Sequence, residues 1–200
     1  MPTAEMVAGF ARFISGARPR WVGCRPEPTQ RIYFANHTSH LDAVVLWALL
    51  PPELRARTRP VAARDYWLAG PIRRHLALRA FHAVLVDRVP SHQQHPLEEL
   101  DAALDGGDSL ILFPEGSRLR MPGVAEFRPG LWHLFQRHPT VELIPVYLRF
   151  FDRVLPRGAH FPVPLLTDVV FGAAFPTRDG ETREAFLARA RDAVLRLGVS

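Results

Sequence analysis

A histidine with an aspartate one helical turn behind it is the first pairing in this 200-residue chain that could move a proton. It lies in the run Asn36-His37-Thr38-Ser39-His40-Leu41-Asp42, where a strand-like stretch gives way to a helix-like one. Histidine ionises near neutrality, so it serves as a general base when its ring is held in one tautomer. A carboxylate in the first turn of the helix can reach back to that ring, which makes His37 the base and Asp42 its orienter. The same residues also spell a capping box, with Ser39 at the N-cap and an acid three residues on. On that reading Asp42 serves the helix start and His37 is a loop residue. Residue type and spacing leave both readings open.

A second run, Phe113-Pro114-Glu115-Gly116-Ser117-Arg118, directly follows the most apolar stretch of the chain. Proline ends a strand and glycine permits a sharp turn that bares backbone N–H groups. Such groups can meet an anion, either a phosphate oxygen or a developing oxyanion. Arg118 adds a two-pronged phosphate grip. A plain tight turn with a Glu115–Arg118 ion pair at its rim fits the run as well.

Strand-like and helix-like stretches alternate around these runs. Arg31–Ala35 reads as a strand and Leu41–Leu50 as a helix stopped by Pro51 and Pro52. Pro60–Ala63 and Phe81–Val86 read as strands, and Val89–Pro96 as a proline- and histidine-rich loop. Leu97, Leu100 and Leu104 share one helix face, which ends at Asp105–Asp108, and Ser109–Phe113 is an apolar strand. Leu131–Arg137 is helical, Leu143–Leu148 and Val169–Phe171 are strands, and Glu181–Leu197 is a closing helix. The proline-rich stretch Asp152–Thr167 is expected to be a long excursion over the site. This alternation predicts an α/β fold, a single-domain sandwich with a mostly parallel mixed sheet flanked by helices.

Residues 1–30 are read as an N-terminal amphipathic helix and lead-in, and 31–200 as the main domain. In the helix Met6, Phe10, Phe13 and Ala17 recur at helical spacing, Val7 and Ile14 widen the stripe, and Arg12, Arg18 and Arg20 lie off it. The stripe suits a membrane interface or the protein's own core. Glu5 and Arg12 interrupt any signal-peptide stretch. Ala43–Pro52, the longest charge-free apolar run near the front, is half of the ~20 residues that a membrane-spanning helix needs.

The formal net charge is +5, and all 25 basic residues are arginine. Guanidinium groups suit phosphate and carboxylate, so anionic membrane, nucleic acid and small phosphorylated ligands are the candidate partners. The arginines are spread along the chain without a nucleic-acid motif, which sets nucleic acid aside. Cys24 is the single cysteine and allows neither an intrachain disulfide nor a cysteine metal cluster. His37/His40 and His92/His95 lack the acidic or cysteine company of a zinc site, so no metal is expected.

Together the two runs resemble the signatures of the acyl-glycerol-phosphate acyltransferases, Asn-His-x-x-x-x-Asp followed by Phe-Pro-Glu-Gly-(Ser/Thr)-Arg. Between them Val84-Leu85-Val86-Asp87-Arg88 resembles an intermediate block whose arginine binds acceptor phosphate, and Ile144-Pro145-Val146 resembles a fourth block. Asp65-Tyr66-Trp67 and Phe127-Arg128-Pro129-Gly130 are also similar to family runs, with arginine where lysine is often found. The resemblance spans residues 31–150. It departs from the pattern at Ser117, commonly threonine, and at Leu119, frequently small and polar; the glycine usual before the intermediate block is missing near Ala80 and Phe81.

The resemblance implies an O-acyltransferase of phospholipid biosynthesis with a glycerol-phosphate-acyltransferase-like fold. His37 would deprotonate an acceptor hydroxyl while Asp42 holds the ring, and that oxygen would attack a thioester carbonyl. N–H groups around Gly116 would face the oxyanion. Arg88 and Arg118 would hold the acceptor phosphate, Glu115 would orient an arginine or the glycerol hydroxyl, and Gly116 and Ser117 complete the substrate-binding set. No cofactor is implied; acyl-CoA or acyl carrier protein (acyl-ACP) is the co-substrate. The expected acceptor is a lysophospholipid, 1-acylglycerol-3-phosphate first. That places the protein in the cytoplasm, peripherally on the inner face of the membrane. No Gly-x-Ser-x-Gly elbow is present, so a covalent acyl-enzyme is not required. A thioesterase or lipid hydrolase using the same His-Asp pair on water, and an acyltransferase for a non-glycerol lipid acceptor, are the alternatives.

Overall fold

Strand β2 (Arg31–Ala35) is buried at every position, as a strand covered on both faces of a sheet must be. A computed structural model describes residues 2–39, 41–87, 97–116, 124–149 and 168–199. On either side of β2 run β5 (Ser109–Leu112) and β6 (Glu142–Leu148), both parallel to it, with Phe34 opposite Leu112 and Pro145. Beyond β5 lie β3 (Thr58–Ala63) and then β4 (Val84–Val86). Beyond β6 lie β7 (Asp168–Phe171) and then β1 (Arg18–Trp21). All pairings in this seven-stranded sheet are parallel except β6 with β7. The expected α/β fold with a mostly parallel mixed sheet is the one observed.

Alternation along the strands sends side chains into two helical layers. Tyr33, Ala35, Ile111, Ile144 and Val146 join one core with residues of α1 (Pro2–Ser15), α2 (Asp42–Leu49) and α3 (Pro52–Ala56). Ile32, Phe34, Leu110 and Leu143 join the other with α6 (Glu98–Asp105), α7 (Gly130–Arg137) and α8 (Arg183–Leu197). Two short helices, α4 (Arg64–Trp67) and α5 (Pro71–His75), follow β3.

Several elements depart from the sequence reading. The lead-in carries β1, which pairs with β7 and so belongs to the sheet. Its Arg-Pro-Arg-Trp sequence has no apolar alternation because it is an edge strand with three exposed positions, where proline is tolerated. The strand read at Phe81–Val86 is only Val84–Val86. Upstream, Leu76–Ala80 forms a π-helical turn in which the Phe81 N–H donates to the Leu76 carbonyl. His82 then reverses the chain at φ 47, a left-handed conformation that strands exclude. The loop at Val89–Pro96 and the excursion at Asp152–Thr167 lie outside the described residues.

The first helix turns its small side inward. Ala8 is buried and Ala4, Val7 and Ala11 pack on the core, while Met6, Phe10 and Phe13 face solvent at 73%, 65% and 83% exposure. The small residues let α1 lie close to α2, and the large ones fall on the opposite side. Among the described residues no helix is long and apolar enough to cross a membrane.

Candidate active site

β2 and β5 are parallel neighbours, so the segments leaving their carboxyl ends emerge side by side. The segment after β2 leads to α2 on one face of the sheet, and the segment after β5 leads to α7 on the other. Adjacent strands that send their connections to opposite faces open a crevice between them, where α/β sheets bind ligands. Both sequence runs converge there.

Asp42 is the first residue of α2 and is fully buried. Its Oδ2 accepts hydrogen bonds from the N–H groups of Thr38 (2.6 Å) and Ser39 (2.7 Å) and lies 2.9 Å from His37 Nδ1. An oxygen already taking two N–H donors is an acceptor, so the His37 proton sits on Nδ1 and points at Asp42. Nε2, across the ring, is left with the lone pair, the tautomer a general base needs. The positive end of α2 adds to the stabilisation of the carboxylate. The ring is about one-fifth exposed and stacks on Phe113, with centroids 4.4 Å apart.

The capping box read from the sequence does not form: the N-cap is Leu41, without a side-chain cap, and the Asp42 N–H donates to the Ser39 carbonyl at 3.3 Å and not to its hydroxyl. Ser39 Oγ accepts from the Leu41 N–H at 3.3 Å, while the Asp42 carboxylate gathers the loop that bears His37. Asn36 fixes the exit from β2. Its side chain exchanges two hydrogen bonds with the backbone of Leu148, at 2.8 and 3.2 Å, and so extends the β2–β6 ladder by one rung.

Glu115 is 4% exposed and turns inward. Its oxygens accept from the backbone N–H of His37 (2.8 Å) and of Ala125 (3.1 Å). Burial pushes this carboxyl above its ordinary 4.5, opposed by the hydrogen bonds from those two N–H groups. Glu115 thus clasps the loop bearing the histidine to the chain leading into α7. No spacing rule reveals such a bond, because the carboxylate satisfies distant backbone donors.

Gly116 has φ +71, and a Cβ there would stand 2.4 Å from Arg128 Nε, so the arginine side chain lies across the bare glycine. The Arg128 N–H donates to the Pro114 carbonyl at 2.8 Å, binding the two segments together. The N–H of Gly116 itself, expected among the oxyanion donors, closes the turn onto the Phe113 carbonyl at 3.0 Å and is spent there. Arg128 is an exposed guanidinium beside the crevice that the candidate set omitted. Its sequence signal is the Phe127-Arg128-Pro129-Gly130 run, which is similar to a family run. Arg88, Ser117 and Arg118 lie outside the described residues. The structure thus brings together His37, Asp42, Glu115 and Gly116.

Cys24 is half-buried, and burial pushes its thiol above its ordinary 9.0, away from the thiolate a nucleophile needs. Among the described residues, no three histidine, cysteine or acidic side chains are placed to hold a metal ion.

The family described as Acyltransferase matches residues 24–149, from the end of the lead-in to the end of β6. Among solved structures, the crystal structure of the 1-acyl-sn-glycerophosphate (LPA) acyltransferase PlsC from Thermotoga maritima shares the fold. The TM-score is 0.72 at 19% identity, covering 98% of this chain and 78% of that one. No curated protein sequence matches the chain.

Proposed function

The chain belongs to the acyltransferase family, and from that premise we propose that it moves a fatty acyl group from a thioester to the hydroxyl of a lysophospholipid, with 1-acylglycerol-3-phosphate as first acceptor. The observation that carries the reading is the His37–Asp42 pair, with Nδ1 committed to a buried carboxylate, which leaves Nε2 as the nitrogen that can take a proton. The fold shared with PlsC, itself a 1-acyl-sn-glycerophosphate acyltransferase, supports the choice of acceptor.

His37 Nε2 takes the proton of the acceptor hydroxyl as its oxygen bonds to the thioester carbonyl carbon. The tetrahedral intermediate collapses by breaking the C–S bond, and the thiolate takes the proton back from the imidazolium. Products are the diacyl lipid and a free thiol, with no acyl-enzyme and no cofactor. Asp42 supplies orientation and charge balance. Arg88 and Arg118, with Ser117, are proposed to hold the acceptor phosphate, and Arg128 is positioned to share that work. Acyl-CoA or acyl-ACP is the donor. Because such acceptors reside in bilayers, peripheral attachment to the inner face of the membrane is part of the same reading.

The test supplies purified protein with radiolabelled lysophosphatidic acid and either acyl-CoA or acyl-ACP. Wild type is expected to form the diacyl lipid, and His37→Ala to lose roughly 10²–10⁴-fold in rate, the range of a general base. Thioester cleavage that proceeds equally with and without acceptor would make the protein a hydrolase instead.

A further inference from the structure

Residues 124–128 enter neither helix nor strand, yet Val124 and Phe127 are only 3% and 7% exposed. The Phe127 ring meets Phe34 edge-on, with centroids 6.2 Å apart. A segment pressed onto the core without regular structure must find outside partners for its backbone N–H and C=O groups. Two come from the turn after β5: Glu115 takes the Ala125 N–H, and the Pro114 carbonyl takes the Arg128 N–H. The third comes from α8. Arg191 Nε donates to the carbonyls of Val124 (2.8 Å) and Ala125 (3.1 Å). Ala125 is gripped on both polar sides, its N–H by a carboxylate and its C=O by a guanidinium.

The helix that delivers this guanidinium is firmly seated. Phe186, fully buried, stacks on Phe135 and meets Trp132 and Phe175 edge-on, all with centroids 5.0–5.4 Å away. Ala190 and Val194 continue the buried face at four-residue spacing. The other arginines of α8 are spent on acids: Arg183 on Glu184, Arg189 on Glu181 and Arg196 on Asp192. Arg191 differs. Among the described residues it has no acid partner, and its Nε is given to the two carbonyls. Charge-assisted bonds are about twice as strong as neutral ones. One N–H divided between successive carbonyls orients two peptide planes at once.

We propose that Arg191 is a positioning residue for the acceptor side of the site, holding the 124–128 segment so that Arg128 stands where it can meet the acceptor phosphate. The inference rests on the reaction given under the proposed function and deepens it. It brings into the site a helix that lies beyond residue 149, where the family match ends. It also predicts a division of effects. His37 keeps its own bond to Glu115 when Arg191 is removed, so the base stays in place. The loss falls on Arg128, three residues after Ala125, and hence on acceptor binding.

The test measures transfer to lysophosphatidic acid with acceptor and donor varied separately, in wild type, Arg191→Ala, Arg191→Gln and Arg191→Lys. Arg191→Ala is expected to raise the acceptor KM about five- to tenfold, with kcat and the donor KM changed less than about twofold. Arg191→Lys, which keeps a cationic donor, should recover part of the loss, and Arg191→Gln should not. In an Arg128→Ala background, Arg191→Ala should add less than about twofold to the acceptor KM, because the two act through one segment. Arg183→Gln, at an exposed pair on the same helix, should change nothing. Amide exchange followed by NMR supplies a readout without turnover: in Arg191→Ala the Ala125 N–H should exchange at least roughly tenfold faster and the His37 N–H at its wild-type rate. An unaltered acceptor KM, equal losses for acceptor and donor, or full additivity with Arg128→Ala would each overturn the proposal. Should Arg191→Ala fail to fold, the contrast between Arg191→Lys and Arg191→Gln decides by the same measurements. Wild type that transfers no acyl group would count against the proposed reaction. The exchange rates then decide the grip by themselves, and an Ala125 amide that ignores the loss of Arg191 would overturn it.

Discussion

The loop after β2 and the turn after β5 leave the same end of the sheet side by side, yet they are held by different means. The first is tied to itself: Asp42 gathers the N–H groups of Thr38 and Ser39 and the ring of His37 within little more than one helical turn. The second is tied to distant chain: Glu115 reaches His37 and Ala125, and the Pro114 carbonyl takes the N–H of Arg128. A local knot fixes which nitrogen of the base is free. A long-range clasp fixes where that base stands relative to the wall opposite, Phe113 and Arg128. Chemistry and placement are thus assigned to different carboxylates.

The contrast is sharpest in Asp42→Asn. An amide oxygen can take the place of Oδ2, but the neutral group no longer balances the charge of the imidazolium that forms on His37. The expected result is a fall of about 10³–10⁴-fold in kcat with KM little changed, measured by steady-state transfer assays.

Glu115→Gln tests the clasp. It leaves one carbonyl oxygen for two N–H donors, and a decrease of roughly 10–100-fold in kcat is expected from displacement of the base, with a stability loss of about 1–3 kcal/mol in urea unfolding. The pH dependence separates it from an ordinary structural defect. Burial raises the folded carboxyl above 4.5, so between that value and the folded one the native state holds more proton than the unfolded chain. Stability supplied by Glu115 is then greatest on the acid side and declines as pH rises through the window. The advantage of wild type over Glu115→Gln should shrink across it, and an advantage that grows with pH would refute the assignment.

Gly116→Ala is the mildest. The added Cβ meets the flexible end of Arg128 rather than backbone, and the left-handed φ of +71 costs about 1 kcal/mol. A drop in melting temperature of a few degrees, with KM for the acceptor rising more than kcat falls, is the expected outcome. If kcat falls as far as in Glu115→Gln, the turn would be part of the base's support and the division drawn above would fail.

The fold was legible because its central elements follow simple periodicities. β2, β5 and β6 are apolar runs bounded by breakers, and α8 begins at Thr182, a regular N-cap whose Oγ1 accepts from the Ala185 N–H. β1 was not legible, since an exposed edge strand has no apolar face to show. The Leu76–Ala80 turn hid because a π-helical turn disrupts helical phase just where Ala77, Ala80 and Phe81 are buried. In the site, the His37–Asp42 pairing could be read from spacing, though spacing could not choose between base and cap; the loop's own N–H groups, which turn to Asp42, made that choice. The inward turn of Glu115 and the cover of Arg128 over Gly116 depend on which strands lie side by side. That information resides in the topology.

The saturation of Asp42 has a further consequence. Its Oδ2 is filled by three N–H donors and the group is sealed from water, so this carboxylate offers a proton no onward route. A proton that arrives on His37 can depart only through the nitrogen by which it came. The relay has one door. In the transfer proposed, the acceptor oxygen and the departing sulfur must present themselves to that door in turn, on the same side of the ring, and the order of their visits sets the direction of the reaction.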